Sequence, residues 1–524
     1  MKLNINKLII VVVLLIAVSC SNHPSVPSEF SKESSELKIF PDYKDVTVPY
    51  NIAPLNFKVR NRGSEVVAKI SDSSGSSYTY GNGMKVEIDE DEWHSMLEKS
   101  KGKSLKVEIY LEDNGKWKQY SPFEIHVAPE AIDEYVSYRL INPSYVAYEE
   151  LRICERNLTN FEEDDIYNNM ILSGESDGQC INCHSYQNYR TDNMQFHMRQ
   201  GHGGTLLVYK GEAKKINLKT ESTISAGVYP SWHPTLPLIA YSTNSTGQSF
   251  HTKDKAKIEV QDAASDLILY DIEKNEVSIV ENDSSEFEVF PWWSPDGKSL
   301  YFCSAHFEFN DSVKAPVDGK AEIVDGGDSK DNKLKQHQAQ IIERYQDIKY
   351  NIYRKSFDSK TNSFGEKELV VCADSMGKSA TIPRISPDGR YLLYGLGGWG
   401  CFHIWHPDAD LYITDLETGE MRALDEANSP CAESYHSWSS NGRWILFASR
   451  RDDNNYSRLY ISYFDKNGKA HKAFELPQAD PDFYTNCLKS FNVPEFMVEP
   501  VKISAQDFAS VAKTDAESVK FKKH

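Results

Sequence analysis

The chain has 524 residues, with 58 Lys and Arg against 77 Asp and Glu, a formal charge of −19. That acidic excess excludes broad electrostatic binding to nucleic acid. A hydrophobic fraction of 40% with 12% aromatics supports a large core and excludes wholesale disorder, and nine Cys are too few for a disulfide scaffold.

The first element in chain order is an address. Residues 1–20 read MKLNINKLIIVVVLLIAVSC. Lys2 and Lys7 give a basic start, and Leu8 to Val18 form an apolar run too short for a comfortable membrane span. Ala17-Val18-Ser19-Cys20 resembles the lipobox of bacterial lipoproteins, with Cys20 as the lipidation site and Ala17 in place of the usual Leu. An ordinary signal peptide with a chance Cys is the plainer alternative. Membrane association would then come through the lipid. Residues 21–39, rich in Ser, Pro and Glu, are expected to form a flexible tether.

Residues 40–128 carry short alternating runs, such as Leu105-Lys106-Val107-Glu108-Ile109, separated by turn formers such as Asp113-Asn114-Gly115. Period-2 alternation predicts a small β-sandwich with a spacing or docking role.

From residue 129 to 500 the chain repeats itself. Tyr229-Pro-Ser-Trp-His-Pro234, Phe290-Pro-Trp-Trp-Ser-Pro-Asp-Gly297, Ile382-Pro-Arg-Ile-Ser-Pro-Asp-Gly389 and Tyr435-His-Ser-Trp-Ser-Ser-Asn-Gly442 each lead into a strongly apolar strand. A second strand pair follows each, at a period of roughly 50 residues, which predicts propeller blades. Pro presets φ and Asp-Gly accepts the tight reversal. Two weaker blades precede these, around 138–169 and 180–219. The expected fold class is all-β: a β-propeller of about six blades after the small sandwich. Phe496 to Glu499 is expected to close the ring, and 501–524 to form a tail. Residues 307–347 read as an insertion with a short helix at Ala339 to Tyr345.

The chemical signal is Cys180-Ile181-Asn182-Cys183-His184. CxxCH is the pattern for covalent attachment of one haem c: two thiols add to the vinyl groups of one haem edge, and the adjoining His ligates iron. Cys180 and Cys183 are the expected anchors and His184 the proximal ligand. His197 is the first candidate for the distal ligand, ahead of Met194, Met198 and His202. A redox dithiol or half of a zinc site are the alternatives. Aligned by eye, His184 matches His233 of the next blade.

A second cluster is expected on the propeller face. His403, His406, His436, Arg384 and Arg450 could converge there, with Trp399 and Trp405 beside them. Cys154, Cys303, Cys372, Cys401, Cys431 and Cys487 have no assigned role. No G-x-S-x-G, H-E-x-x-H, P-loop or dinucleotide fingerprint occurs.

Together the lipobox, the CxxCH and the S-P-D-G turns resemble TolB-like, WD-like β-propeller lipoproteins that carry a c-type cytochrome motif. The resemblance implies a propeller held at the periplasmic face or outer-membrane surface of the cell envelope. Its leading functional expectation is a membrane-anchored c-type cytochrome serving a redox partner. The alternative is a non-enzymatic propeller that binds a glycan, peptide or envelope protein. A third is an enzyme acting through His403, His406 and His436.

Overall fold

A computed structural model describes residues 23–142, 150–172, 174, 179–253, 255–310 and 332–522, without the side chains of 332–336. The leader and Cys20 lie outside these residues.

Six four-stranded units follow one another from Tyr135. Blade I combines Tyr135–Ile141, Arg152–Asn157 and Glu163–Asn168 with Ser490–Met497. Blade II runs Ile181–Gln187, Arg190–Met198, Gly204–Tyr209 and Glu212–Asn217. Blade III runs Val228–Trp232, Leu238–Phe250, Ile258–Asp271 and Glu276–Glu281. Blade IV runs Glu286–Trp293, Ser299–His306, Asn351–Asp358 and Ser363–Val371. Blade V runs Ser379–Ile385, Tyr391–Gly397, Asp410–Asp415 and Met421–Ala423. Blade VI runs Glu433–Trp438, Trp444–Ser449, Arg458–Tyr463 and Phe474–Glu475. The all-β propeller read from the repeats is the observed architecture.

The second strands read as continuous apolar runs for a packing reason. Tyr391–Gly397 and Trp444–Ser449 are buried at every residue, because blades pack on both of their faces. The ring closes by mixing chain ends. Ser490–Met497 pairs antiparallel with Tyr135–Ile141, so the last propeller strand is the innermost strand of the first blade.

The tail is a strap. Ser504 caps the helix Ala505–Ala512 by accepting from the Asp507 amide, and Phe508 is buried in the core between blades I and II. Glu517–Ser518 then pairs with blade II and Lys520–Phe521 with blade III.

The amino-terminal domain differs from its expectation in two ways. Residues expected to be tether already join it: Ser31–Lys32 pairs with Lys118–Gln119, and Ile39–Phe40 with Lys58–Val59. It also contains a helix, Glu90–Lys99, capped by Asp89 and burying Trp93, Met96 and Leu97. That i, i+3, i+4 apolar spacing behind an acidic first turn was a helix signal that strand alternation on either side masked. The domain shares one apolar core with blade VI, reaching Trp444, Tyr463 and Phe474. The insertion in blade IV holds a helix longer than its expectation, Asn332–Arg344.

One carboxyl is buried at the joint of blades III and IV. Glu288 is 0% exposed, and neither oxygen has a hydrogen-bond partner. Burial pushes its pKa to about 9 from 4.5, and the neighbouring Glu281 and Asp266 add to the effect, while Lys367 opposes it. A raised carboxyl pKa means the folded state holds a proton that the unfolded state releases above pH 4.5. Stability from this group therefore falls as pH rises from 4.5 towards 9, by up to about 1.4 kcal/mol per pH unit. Glu288→Gln is expected to melt above the parent at pH 8, with the gap closing near pH 4.5. Melting curves of both proteins across that range check it.

Candidate functional site at the propeller channel

Each blade's innermost strand carries one residue with left-handed backbone: Cys183 (φ 57°), Tyr229 (50°), Phe290 (55°), Ile382 (54°), Tyr435 (48°) and Val493 (49°). Each sits at a break in register of that strand against a neighbouring strand, a bulge that turns its side chain towards the axis. The following residue is Pro in blades I, III, IV and V (Pro494, Pro230, Pro291, Pro383) and His in blades II and VI (His184, His436). All six left-handed residues line one narrow waist with His184, Arg384 and Glu495. A non-glycine residue at positive φ costs of order 1–3 kcal/mol, so six copies mark a built device.

This register corrects the alignment read by eye. His184 is the equivalent of Pro230, and Gln187 that of His233. The second half of CxxCH is thus blade II's copy of the waist bulge.

The structure places the haem-motif residues apart. The half-buried Cys180 packs against the Tyr167, Phe196 and Phe508 cluster between blades I and II. Cys183 lies on the channel side, its thiol pKa raised by burial. His184 is 1% exposed, and both its ring nitrogens lack a hydrogen-bond partner. Burial, aided by the Arg139 charge, lowers its pKa to about 3, so the ring is neutral at pH 7. The donor chemistry suits an iron ligand; the space does not suit a porphyrin. The waist holds about 40 Å³, whereas cofactor pockets run to about 300–1,000 Å³.

His197 is not brought to His184. It pairs across the blade with Asn182 and Thr205, and its Nδ1 lies 3.1 Å from Thr205 Oγ1. Burial lowers its pKa to about 3 as well. Met194 and Met198 are core side chains and His202 sits in a surface turn. Among the described residues no cluster of three or more His, Cys, Asp or Glu could hold a metal, and no two Cys form a disulfide.

The expected face cluster divides in two. His403 and His406 stay together, ring centroids 5.4 Å apart, in the blade V loop. His406 Nε2 meets the Glu259 carboxylate at 3.1 Å, and the Trp399 indole donates to the same carboxylate at 3.2 Å. Glu259, on the long blade III hairpin, carries no local signal that could have revealed it. Arg450 joins this group, donating to Ile404 O at 2.6 Å and lying 3.3 Å over the Trp405 ring. His436 and Arg384 lie apart from it: His436 is buried with Nε2 2.7 Å from Ile382 O of blade V, and Arg384, at the channel waist, bonds Glu495 at 3.3 Å. Between Glu259, Tyr350 and Trp399 only about 10 Å³ is left, while a cavity of about 450 Å³ lies between His251, Trp405 and Tyr456.

The other end is open. Beyond the waist, on the side of the S-P-D-G turns, lies a cavity of about 520 Å³. Ser185, Ser231, Ser437, Trp292 and Tyr189 line it, with Glu495 shared between mouth and waist.

No known family model matches the chain, and no curated protein matches it. Solved structures with a similar chain path include a hypothetical selenium-binding protein from Sulfolobus tokodaii, at TM-score 0.39 and 8% identity over 74% of this chain and 96% of that one. Prolyl oligopeptidase B from Galerina marginata scores 0.34 at 10% identity, over 65% of this chain and 44% of that one. The β-propeller domain of the Trilobed protease from Pyrococcus furiosus scores 0.27 at 12% identity, over 69% and 79%. The chain thus spans less than half of the prolyl oligopeptidase chain. The last of these is itself a β-propeller domain.

Proposed function

We propose that this protein is a binding propeller of the cell envelope, tethered through a lipid on Cys20, that holds a ligand in the open mouth of its channel. The observation that carries the reading is the 520 Å³ mouth over a waist narrowed to about 40 Å³. Such a funnel has the volume of a small-molecule site and a floor that blocks passage. Its lining mixes aromatic faces with a few polar groups, the usual make-up of a ligand pocket. The S-P-D-G turns and the lipobox fit a TolB-like lipoprotein, which would present this mouth in the periplasm or at the outer-membrane surface. The reading assigns no reaction.

The test is tryptophan emission of the full chain, titrated with separate pools of peptides, acidic oligosaccharides and neutral oligosaccharides. Saturable quenching that Trp292→Ala removes supports the reading. No quenching by any pool contradicts it.

Covalent haem on Cys180 and Cys183, with His184 on iron, is the second reading. It is favoured by the two unpartnered nitrogens of His184. Bound haem would supply one-electron chemistry to a redox partner in the envelope, and the waist would have to open to admit it. His184→Pro separates the two readings. Four of the other five bulges carry Pro at this place. The binding reading therefore expects a folded variant, within about 1 kcal/mol of the parent, with mouth binding unchanged. The haem reading expects loss of the iron ligand, seen as a changed Soret band.

A further inference from the structure

We infer that the ligand of the channel mouth is a neutral sugar ring, an inference that rests on the binding reading above. The residue two places after each left-handed one lines the channel: Ser185, Ser231, Trp292, Arg384, Ser437 and Glu495. Three properties of this ring narrow the ligand.

The first is charge. Arg384 and Glu495 pair at 3.3 Å, each side chain about 15% exposed, and Arg384 also lies 3.9 Å over the Trp292 ring. The pair cancels its own charge. An anionic ligand would compete with Glu495 for the guanidinium, and a cationic one with Arg384 for the carboxylate. Desolvating either ligand without a free counter-charge is costly.

The second is unfilled hydrogen-bonding capacity. Ser437 Oγ, in the mouth lining, and Arg384 Nε, at the adjoining waist, are both buried without a partner. Ser437 can donate and accept, and Arg384 Nε can donate. Leaving such groups empty costs about 1–3 kcal/mol each, which a ligand with adjacent hydroxyls recovers. Ser185 is placed for the same role, although its Oγ already accepts from the Trp232 indole at 3.2 Å.

The third is shape. Trp292 and Tyr189 are half-buried at the mouth and present aromatic surface beside these polar atoms. A pyranose has the matching anatomy: an apolar face of C–H groups to lie on an aromatic ring, and a rim of hydroxyls that donate and accept. The volume of about 520 Å³ admits a short oligosaccharide.

The experiment is titration calorimetry of the full chain with short neutral oligosaccharides, with acidic oligosaccharides of the same length and with short peptides as the other arms. The expected result is binding of a neutral oligosaccharide that Trp292→Ala weakens by about tenfold or more and Ser437→Ala by a smaller factor. Both variants should melt as the parent does. Trp292→Phe, which keeps an aromatic face, is expected to restore most of the affinity if Trp292→Ala lowers the melting temperature. Binding of acidic sugar or peptide alone, still lost in Trp292→Ala, overturns the sugar and leaves the mouth standing. No binding in any arm, or binding that ignores both substitutions, overturns both.

Discussion

Deleting residues 490–524 is expected to leave no folded propeller. Ser490–Met497 supplies the innermost strand of blade I, pairing with Tyr135–Ile141 along its length. Phe491, Phe496 and Met497 are at most 1% exposed. The deletion therefore opens the ring and exposes a hydrophobic seam at once, each large side chain costing about 2–5 kcal/mol. Folded domains hold only about 5–15 kcal/mol in total. It also removes Phe508 and the two short strands that strap blades II and III. Circular dichroism and gel filtration should show an aggregated or unfolded chain. A shorter deletion, 505–524, keeps the closing strand and should give a folded protein of lower melting temperature. Normal melting after the longer deletion would refute this account of closure.

Trp444→Ala is expected to cost about 3–5 kcal/mol, the range for emptying a buried Trp site. Trp444 is 0% exposed and donates through Nε1 to Ala131 O at 2.9 Å. Its ring lies 4.9 Å from that of Tyr463, within the core shared by blade VI and the amino-terminal domain. Trp444→Phe keeps much of the volume and loses the indole bond, for about 1 kcal/mol. Denaturant melts should show the alanine variant losing the joint between the two parts first, with a separate early transition. A single unshifted transition would contradict the shared core.

Much of the fold was legible because propeller repeats write themselves locally. A left-handed bulge followed by Pro or His recurs in every blade, an S-P-D-G turn in blades IV and V, and a strand buried on both faces in blades V and VI. All three are short-range requirements. The closing strand was legible only in outline, because its partners lie some 350 residues earlier in sequence. The helix Glu90–Lys99 was missed because strand alternation surrounds it. The site was harder. Of the CxxCH residues only His184 has a counterpart in residue type in the architecture: it fills a place that Pro or His fills in the other blades. Arg384 was named for the face, yet its partner Glu495 is 111 residues away and comes from the closing strand. Glu259 reaches His406 across 147 residues. Such pairs exist only once the ring is closed, so no window of sequence could display them.

The bulges narrow the waist, and the residues two places further on, all but Arg384, furnish the mouth. The same short sequence step thus sets both the floor and the lining of the proposed site.

The measurement that bears most directly on this account is the absorption spectrum of the full chain, made in cells competent to attach haem to CxxCH proteins and titrated with ligand in the same cuvette. The account predicts a colourless protein whose tryptophan emission is quenched by ligand through Trp292. A haemochrome spectrum at one haem per chain, lost in Cys183→Ser, would contradict it.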